Sequence, residues 1–237
     1  MKHLLITIAA LVLVGCGESQ QPTPVTEANP EPPTAKAPNI SIVDAAMRGN
    51  IEAVKQHIAA GTDVNTKEVD GFTPLYFAAQ NGQKEITELL IEKGADVNVK
   101  NDNKGGVTPL RGAVANSHME IAELLIAKGA NVNAKEDQGL TLLFFSGTKE
   151  IAELLIAKGL DVNAKADDGG TPLHDAAWSG YKAVAELFIA KAANVNSMDD
   201  RGETPLDWAI KEGQIGIGAL LRKHGGKTGR ELKAAGN

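Results

Sequence analysis

The chain has 237 residues with 24 basic against 30 acidic side chains, a net charge of −6, and is long enough for one or two domains. Without a basic stripe, nucleic acid is excluded as a partner on electrostatic grounds. Its single cysteine excludes an internal disulfide and any multi-cysteine metal centre. The first predicted element is Met1 to Cys16, MKHLLITIAALVLVGC, in which Lys2 precedes an apolar run from Leu4 to Val14. Such a run reaches about 16 Å as a helix, against roughly 30 Å of bilayer core. Too short to span and charged at its start, the stretch 1–15 reads as a signal peptide.

The cysteine closes Leu13-Val14-Gly15-Cys16, which resembles the lipobox of bacterial lipoproteins. The resemblance implies that Cys16 is diacylglycerol-modified, becomes the first residue after cleavage and is usually N-acylated. An ordinary cleaved signal that happens to carry a cysteine is the alternative. Two or three acyl chains anchor durably, each buried methylene contributing about 0.8 kcal/mol. Glycine rather than aspartate at 17 favours, by the same resemblance, the outer membrane facing the periplasm of a bacterial envelope, with the cell surface and inner membrane left open. Residues 16–38 are polar and proline-dense, and are predicted as a disordered tether; a proline-rich recognition ligand is the sharper alternative. From Gly17 to Pro38 the tether would reach about 68 Å as polyproline II or about 26 Å as random coil.

Beyond residue 39 the chain repeats itself. TPL occurs at Thr73-Pro74-Leu75, Thr108-Pro109-Leu110, Thr171-Pro172-Leu173 and Thr204-Pro205-Leu206, and as Thr141-Leu142-Leu143. A Val-Asn pair closes at Asn65, Asn98, Asn133, Asn163 and Asn196, separated by 33, 35, 30 and 33 residues. Threonine before proline starts a helix, because its hydroxyl can accept from an orphan N–H and proline lacks a donor where none is needed. After Thr171, Leu173, Ala176 and Ala177 follow helical spacing, Gly180 breaks the helix, and Val184, Leu187 and Phe188 give a second helix one apolar face. Gly61, Gly94, Gly129 and Gly159 are predicted C-caps, with Ala192 standing irregularly in that place. Neither helix buries its face alone, so neighbouring copies must stack.

This wording at this period resembles the ankyrin repeat. The resemblance implies an all-α ankyrin repeat solenoid of about six helix-turn-helix units joined by β-hairpin-like turns over residues 39–226. The units fall at about 39–67, 68–100, 101–135, 136–165, 166–198 and 199–226, with a tail over 227–237 that adds a helical turn or frays. The first and last units are expected to cap the stack with polar faces, Arg48, Lys55 and Gln56 at one end and Lys211, Glu212, Arg222 and Lys223 at the other. Residues 101–106 (NDNKGG) lengthen one finger. The fourth unit lacks three residues, carries Leu142 for the framework proline, and has Phe144-Phe145 at the histidine position. Its first helix should lose close to a turn, giving a weak point or bend filled by the phenylalanines, or, alternatively, a purpose-built groove. Tyr76, Arg111 and Asp207 also replace the histidine, which at His174 is implied to bond the backbone and tie adjacent repeats.

Little in the chain carries chemistry. Gly225-Gly226-Lys227-Thr228-Gly229 lacks the opening glycine of a phosphate loop, since position 221 is leucine. Histidines 3, 57, 118, 174 and 224 show no metal spacing, and Asp167-Asp168 and Asp199-Asp200 sit where turns favour short polar side chains. No enzyme, cofactor, metal or small-molecule substrate is expected. The resemblance instead implies a monomeric scaffold binding another protein through its concave face and finger tips. Carried over by position, the contact residues are Phe72, Phe77, Gln80, Asn81, Lys104, Asn116, Asp137, Asp167, Asp168, Trp178, Arg201 and Trp208, joined to the membrane through lipidated Cys16. Phe72 and Trp178 stand out, because the framework needs no aromatic there and such side chains anchor interfaces; packing against a neighbouring repeat is the alternative for both. An accessory or protective envelope protein without an aromatic-anchored site is the alternative function.

Overall fold

The structure, a computed structural model, describes residues 37–68 and 70–236. The stretch expected to be a signal peptide, Cys16 and the expected tether up to residue 36 lie outside them. Among the described residues there are twelve α-helices and no regular strand. They are α1 (Ile42–Met47), α2 (Ile51–Ala59), α3 (Pro74–Gln80), α4 (Lys84–Glu92), α5 (Pro109–Ala115), α6 (Met119–Ala127), α7 (Lys149–Ala157), α8 (Pro172–Ser179), α9 (Lys182–Ala190), α10 (Pro205–Lys211), α11 (Ile215–Lys223) and α12 (Gly229–Ala235).

The short helices begin as expected. Thr73, Thr108 and Thr204 cap α3, α5 and α10, each hydroxyl accepting the N–H three residues on, and a proline follows each cap. α1, α3 and α5 stack in one row and α8 packs on α10; α2, α4 and α6 follow one another in a second row, as do α7, α9 and α11. One continuous core runs between the rows, from Ile42 through Leu75, Leu110, Leu143 and Leu173 to Leu221. The fingers between helix pairs are turns with one isolated bridge, Asn101 to Val107, rather than ladders of strands.

The closing asparagines hold the second row. The side-chain oxygen of Asn65 accepts the N–H of Asp96 at 2.8 Å while its amide donates to the Gly94 carbonyl at 3.1 Å. Asn98, Asn163 and Asn196 repeat this pair of bonds on the next unit. Asn133 makes no such pair among the described residues. The break falls at the fourth unit, where the first helix is replaced by a 3-10 turn over Leu142–Phe145. Thr141 ahead of it caps nothing, and its hydroxyl is buried without a partner, a loss of about 1–3 kcal/mol for a desolvated polar group. The turn still bridges α5 and α8, but α6 and α7 touch less than any other neighbours in their row. Phe144 is buried, and Phe145, half-buried, lies under the Arg111 guanidinium at 4.3 Å. The expected loss of a turn is therefore present, with both rings packed into the space.

Ala192 adopts φ +65° where the second helices of the other units are followed by glycine. A Cβ in this region costs roughly 1–2 kcal/mol, partly offset by the greater unfolded-state freedom of glycine. Ala192→Gly should raise the unfolding free energy by about 0.5–1 kcal/mol, read from the midpoint of a urea titration at unchanged slope.

At the C-terminal end Lys211, Glu212, Arg222 and Lys223 are exposed as expected, but apolar side chains share that end. Ile215 is 85% and Ile210 58% exposed, and with Leu206, Ala209 and Ala219 they line an open groove between α10 and α11. Gly213, Gly216 and Gly218 beside them supply no side chains to cover these isoleucines. The tail does not fray. It forms α12, capped by Thr228, whose hydroxyl accepts the Glu231 N–H while the Glu231 carboxylate accepts the Thr228 N–H and pairs with Arg222 at 2.6 Å; the Gly229 N–H donates to Asp207 at 2.7 Å.

Candidate protein-binding face

The first helix of each pair and the finger before it present one side of the stack. Backbone bonds tie the later fingers together: Asp137 N–H donates to the Gly105 carbonyl at 2.9 Å, Asp167 to Gln138 at 2.8 Å and Asp200 to Asp168 at 2.8 Å. The tips of units three to six thus form one ridge. Asp137, Asp167, Asp168 and Asp200 are exposed along it. Asp168 also accepts the Gly170 N–H at 2.9 Å, and Asp199 accepts those of Arg201 and Glu203 at 3.0 and 2.8 Å. These two carboxylates therefore build turns, as their positions in the chain suggested.

Three aromatic groups lie along this side. Phe72, half-buried, stacks on Tyr76 with centroids 4.3 Å apart, and Phe77 stands 5.4 Å from it. Arg111 covers Phe145 and pairs with Glu136 at 3.4 Å. Burial raises the Glu136 carboxyl, with Arg111 opposing, and burial likewise raises the Tyr76 hydroxyl. In the third group Trp178, 45% exposed, meets Trp208 edge-on at 5.8 Å. Trp208 meets His174 at 5.2 Å and donates its indole N–H to Asp199 at 3.2 Å. His174 accepts the Thr171 N–H at 3.0 Å and donates to the Glu203 carbonyl of the next unit at 3.2 Å, the tie that its motif implied.

The twelve contact residues named from the sequence do not form one patch. Phe72 and Phe77 share the first aromatic group, and Trp178 and Trp208 the third. Arg201 lies 5.7 Å over Trp208 and pairs with Asp199 and Glu203 at 3.4 and 3.8 Å. Asn81 and Asn116 commit their amides to the carbonyls of Met47 and Gly112. Lys104 is exposed at its tip, and Gln80 is half-buried with its carbonyl facing His118. Sequence reasoning missed the Tyr76, Arg111, Glu136 and Phe145 group. The signal was there: three of these are departures at or beside the histidine position in consecutive units.

It also missed Asp175. This carboxyl lines a small cavity with Trp208 and Phe144 and is pushed up to about 6 by burial. A carboxyl raised in the fold costs stability once charged, so the penalty is complete above pH 6 and is relieved as pH falls toward the ordinary 3.8. Asp175→Asn should stabilise the fold on the order of 1–2 kcal/mol at neutral pH, discounted for its partial exposure, and by little at pH 4. Paired urea titrations at the two pH values check this.

Among the described residues no cluster of metal-ligating side chains occurs, and no helix is long and apolar enough to cross a membrane. A sequence profile described as "Ankyrin repeats (3 copies)" matches residues 42–136 and 140–231. The chain is similar to protein phosphatase 1 regulatory subunit 27 of Mus musculus, 37% identical over 60 residues, 25% of this chain and 39% of that protein. It is similar to the ankyrin repeat-containing protein P1E11.10 of Schizosaccharomyces pombe, 32% identical over 66 residues, 28% of this chain and 31% of the other. A third relative is alpha-latrocrustotoxin-Lt1a of Latrodectus tredecimguttatus, 46% identical over 59 residues, 24% of this chain and 4% of the toxin. The chain thus spans well under two thirds of each of these proteins.

Proposed function

The chain belongs to the ankyrin repeat family, a family of protein-interaction scaffolds, and from that premise we propose that it is a lipid-anchored adaptor of a bacterial cell envelope. It binds one protein partner non-covalently through the side carrying the finger tips and first helices. The single observation behind this reading is Trp178: a large aromatic side chain left 45% exposed on a preformed, rigid stack, where docking costs little ordering entropy. The regulatory-subunit name of the Mus musculus relative supports an adaptor rather than a catalyst. Anchoring rests on the lipobox-like run ending at Cys16, and the outer membrane facing the periplasm on Gly17. In this reading residues 16–38 form the tether, and the domain acts as a monomer.

The test is crosslinked capture from native cells with the lipidated chain, Trp178→Ala and Phe72→Ala. One protein held by the wild type should fall by about tenfold or more in Trp178→Ala, as loss of an interface anchor does. Equal recovery by all three removes these aromatics as anchors. Labelling with an alkyne-bearing fatty acid should mark the wild type and leave Cys16→Ser unmarked; a labelled Cys16→Ser chain would refute the anchor.

A further inference from the structure

We propose that Asp175, Asp168, Trp208 and Phe144 form a receptor for one lysine or arginine side chain of the protein partner. This rests on the adaptor reading and narrows it to a partner with a protruding basic residue. The four side chains, with Leu140, line a cavity of about 80 Å³ on the finger-and-first-helix side. Small-molecule sites run to roughly 300 Å³ or more, so this one accommodates the end of a side chain and little else. Phe144 belongs to the 3-10 turn of the shortened fourth unit, and Trp208 to α10.

Charge selects the occupant. The Asp175 carboxylate accepts no hydrogen bond and joins no ion pair among the described residues, and Asp168 has Oδ2 unengaged once Oδ1 holds the Gly170 N–H. The cations of the next unit at this end are engaged elsewhere, Arg201 of the finger with Asp199 and Glu203, and Lys211 of α10 with Glu203. A desolvated carboxylate without a partner is unfavourable; a cation offsets that cost most fully, a neutral hydrogen-bond donor less, and an anion not at all. The aromatic wall suits the same guest, since Trp208 already takes the Arg201 guanidinium within 5.7 Å of its ring. The rise of the Asp175 carboxyl to about 6 is the mark of that unmet charge. A carboxylate that joins no hydrogen bond or ion pair and faces a cavity of this shape fits a binding role better than a structural one.

The experiment is an NMR titration of the full chain with Nα-acetyl-arginine methylamide, Nα-acetyl-lysine methylamide and, as neutral counterpart, Nα-acetyl-citrulline methylamide. The Trp208 indole and the Asp175 amide should shift saturably with a basic probe. Binding should weaken by roughly tenfold for citrulline and again in Asp175→Asn, as loss of one charge-assisted contact implies. Equal shifts with citrulline, unchanged binding in Asp175→Asn, or no shift with any probe would each overturn the receptor. Partner capture reads separately. A partner held equally by wild type and Asp175→Asn sinks this inference and leaves the adaptor standing, whereas basic probes that bind while no partner is ever captured sink the adaptor and spare the pocket.

Discussion

Phe188→Ala is expected to lower the unfolding free energy by about 3–5 kcal/mol, the cost of an aromatic cavity in a closed core. Phe188 is fully buried in α9, among the largest side chains with no exposure. α9 packs on α8, α7 and α11, so the cavity opens where three helices meet its own and relaxation is limited. Phe188→Leu, which keeps most of the volume, should cost less than about 1.5 kcal/mol. Because each unit of a repeat stack contacts only its neighbours, and the third and fourth units are joined without an asparagine tie, the damage should remain local. Urea unfolding of Phe188→Ala followed by tryptophan fluorescence, which reports Trp178 and Trp208, should then precede the loss of helical circular dichroism. Coincident transitions would show that the junction transmits cooperativity despite its missing bonds.

His174→Ala should cost about 2–4 kcal/mol, as expected for breaking a buried hydrogen-bond network. The ring is fully buried; it accepts from the Thr171 N–H, donates to the Glu203 carbonyl and packs against Trp208. These bonds select the neutral tautomer with the proton on Nε2, since a proton on Nδ1 would face the Thr171 N–H. Burial lowers the affinity of this ring for a proton. A histidine lowered in the fold supports stability above its unfolded value of 6.5, and that support is lost as pH falls from there through its folded value. Asp175, the next residue, acts in the opposite sense over an overlapping range, gaining stability as pH falls below about 6. In the wild type the two contributions therefore oppose one another between pH 7 and 5. Asp175→Asn should lose stability on that acidification and His174→Ala should gain, and stability–pH profiles of the three proteins that run parallel would refute the assignment.

Much of this architecture was legible in the chain because its signals are short-range. Thr-Pro starts, glycine stops and apolar spacing each act within a few residues, so helix positions and unit boundaries followed from them. The shortened fourth unit was equally plain, since missing residues cannot form a turn. The candidate face was legible only in outline. Trp178 and Trp208 stood 30 residues apart in the chain and meet only through the stacking of α8 on α10. Nothing local distinguishes Asp175 from any first-turn acid; only Phe144 and Trp208, brought beside it by stacking, do.

The sequence alone determined the repeated unit, its period, its caps and its defect, because each is a property of one helix pair and the backbone hydrogen bonds it must satisfy. Tertiary structure decided which asparagine ties hold and which one breaks, how the aromatic groups assemble, where the terminal isoleucines are left uncovered and which carboxylate lies half-buried without a partner. These depend on how far one unit is displaced from the next, and that displacement is set by packing between residues about 30 positions apart, a distance over which no local rule operates.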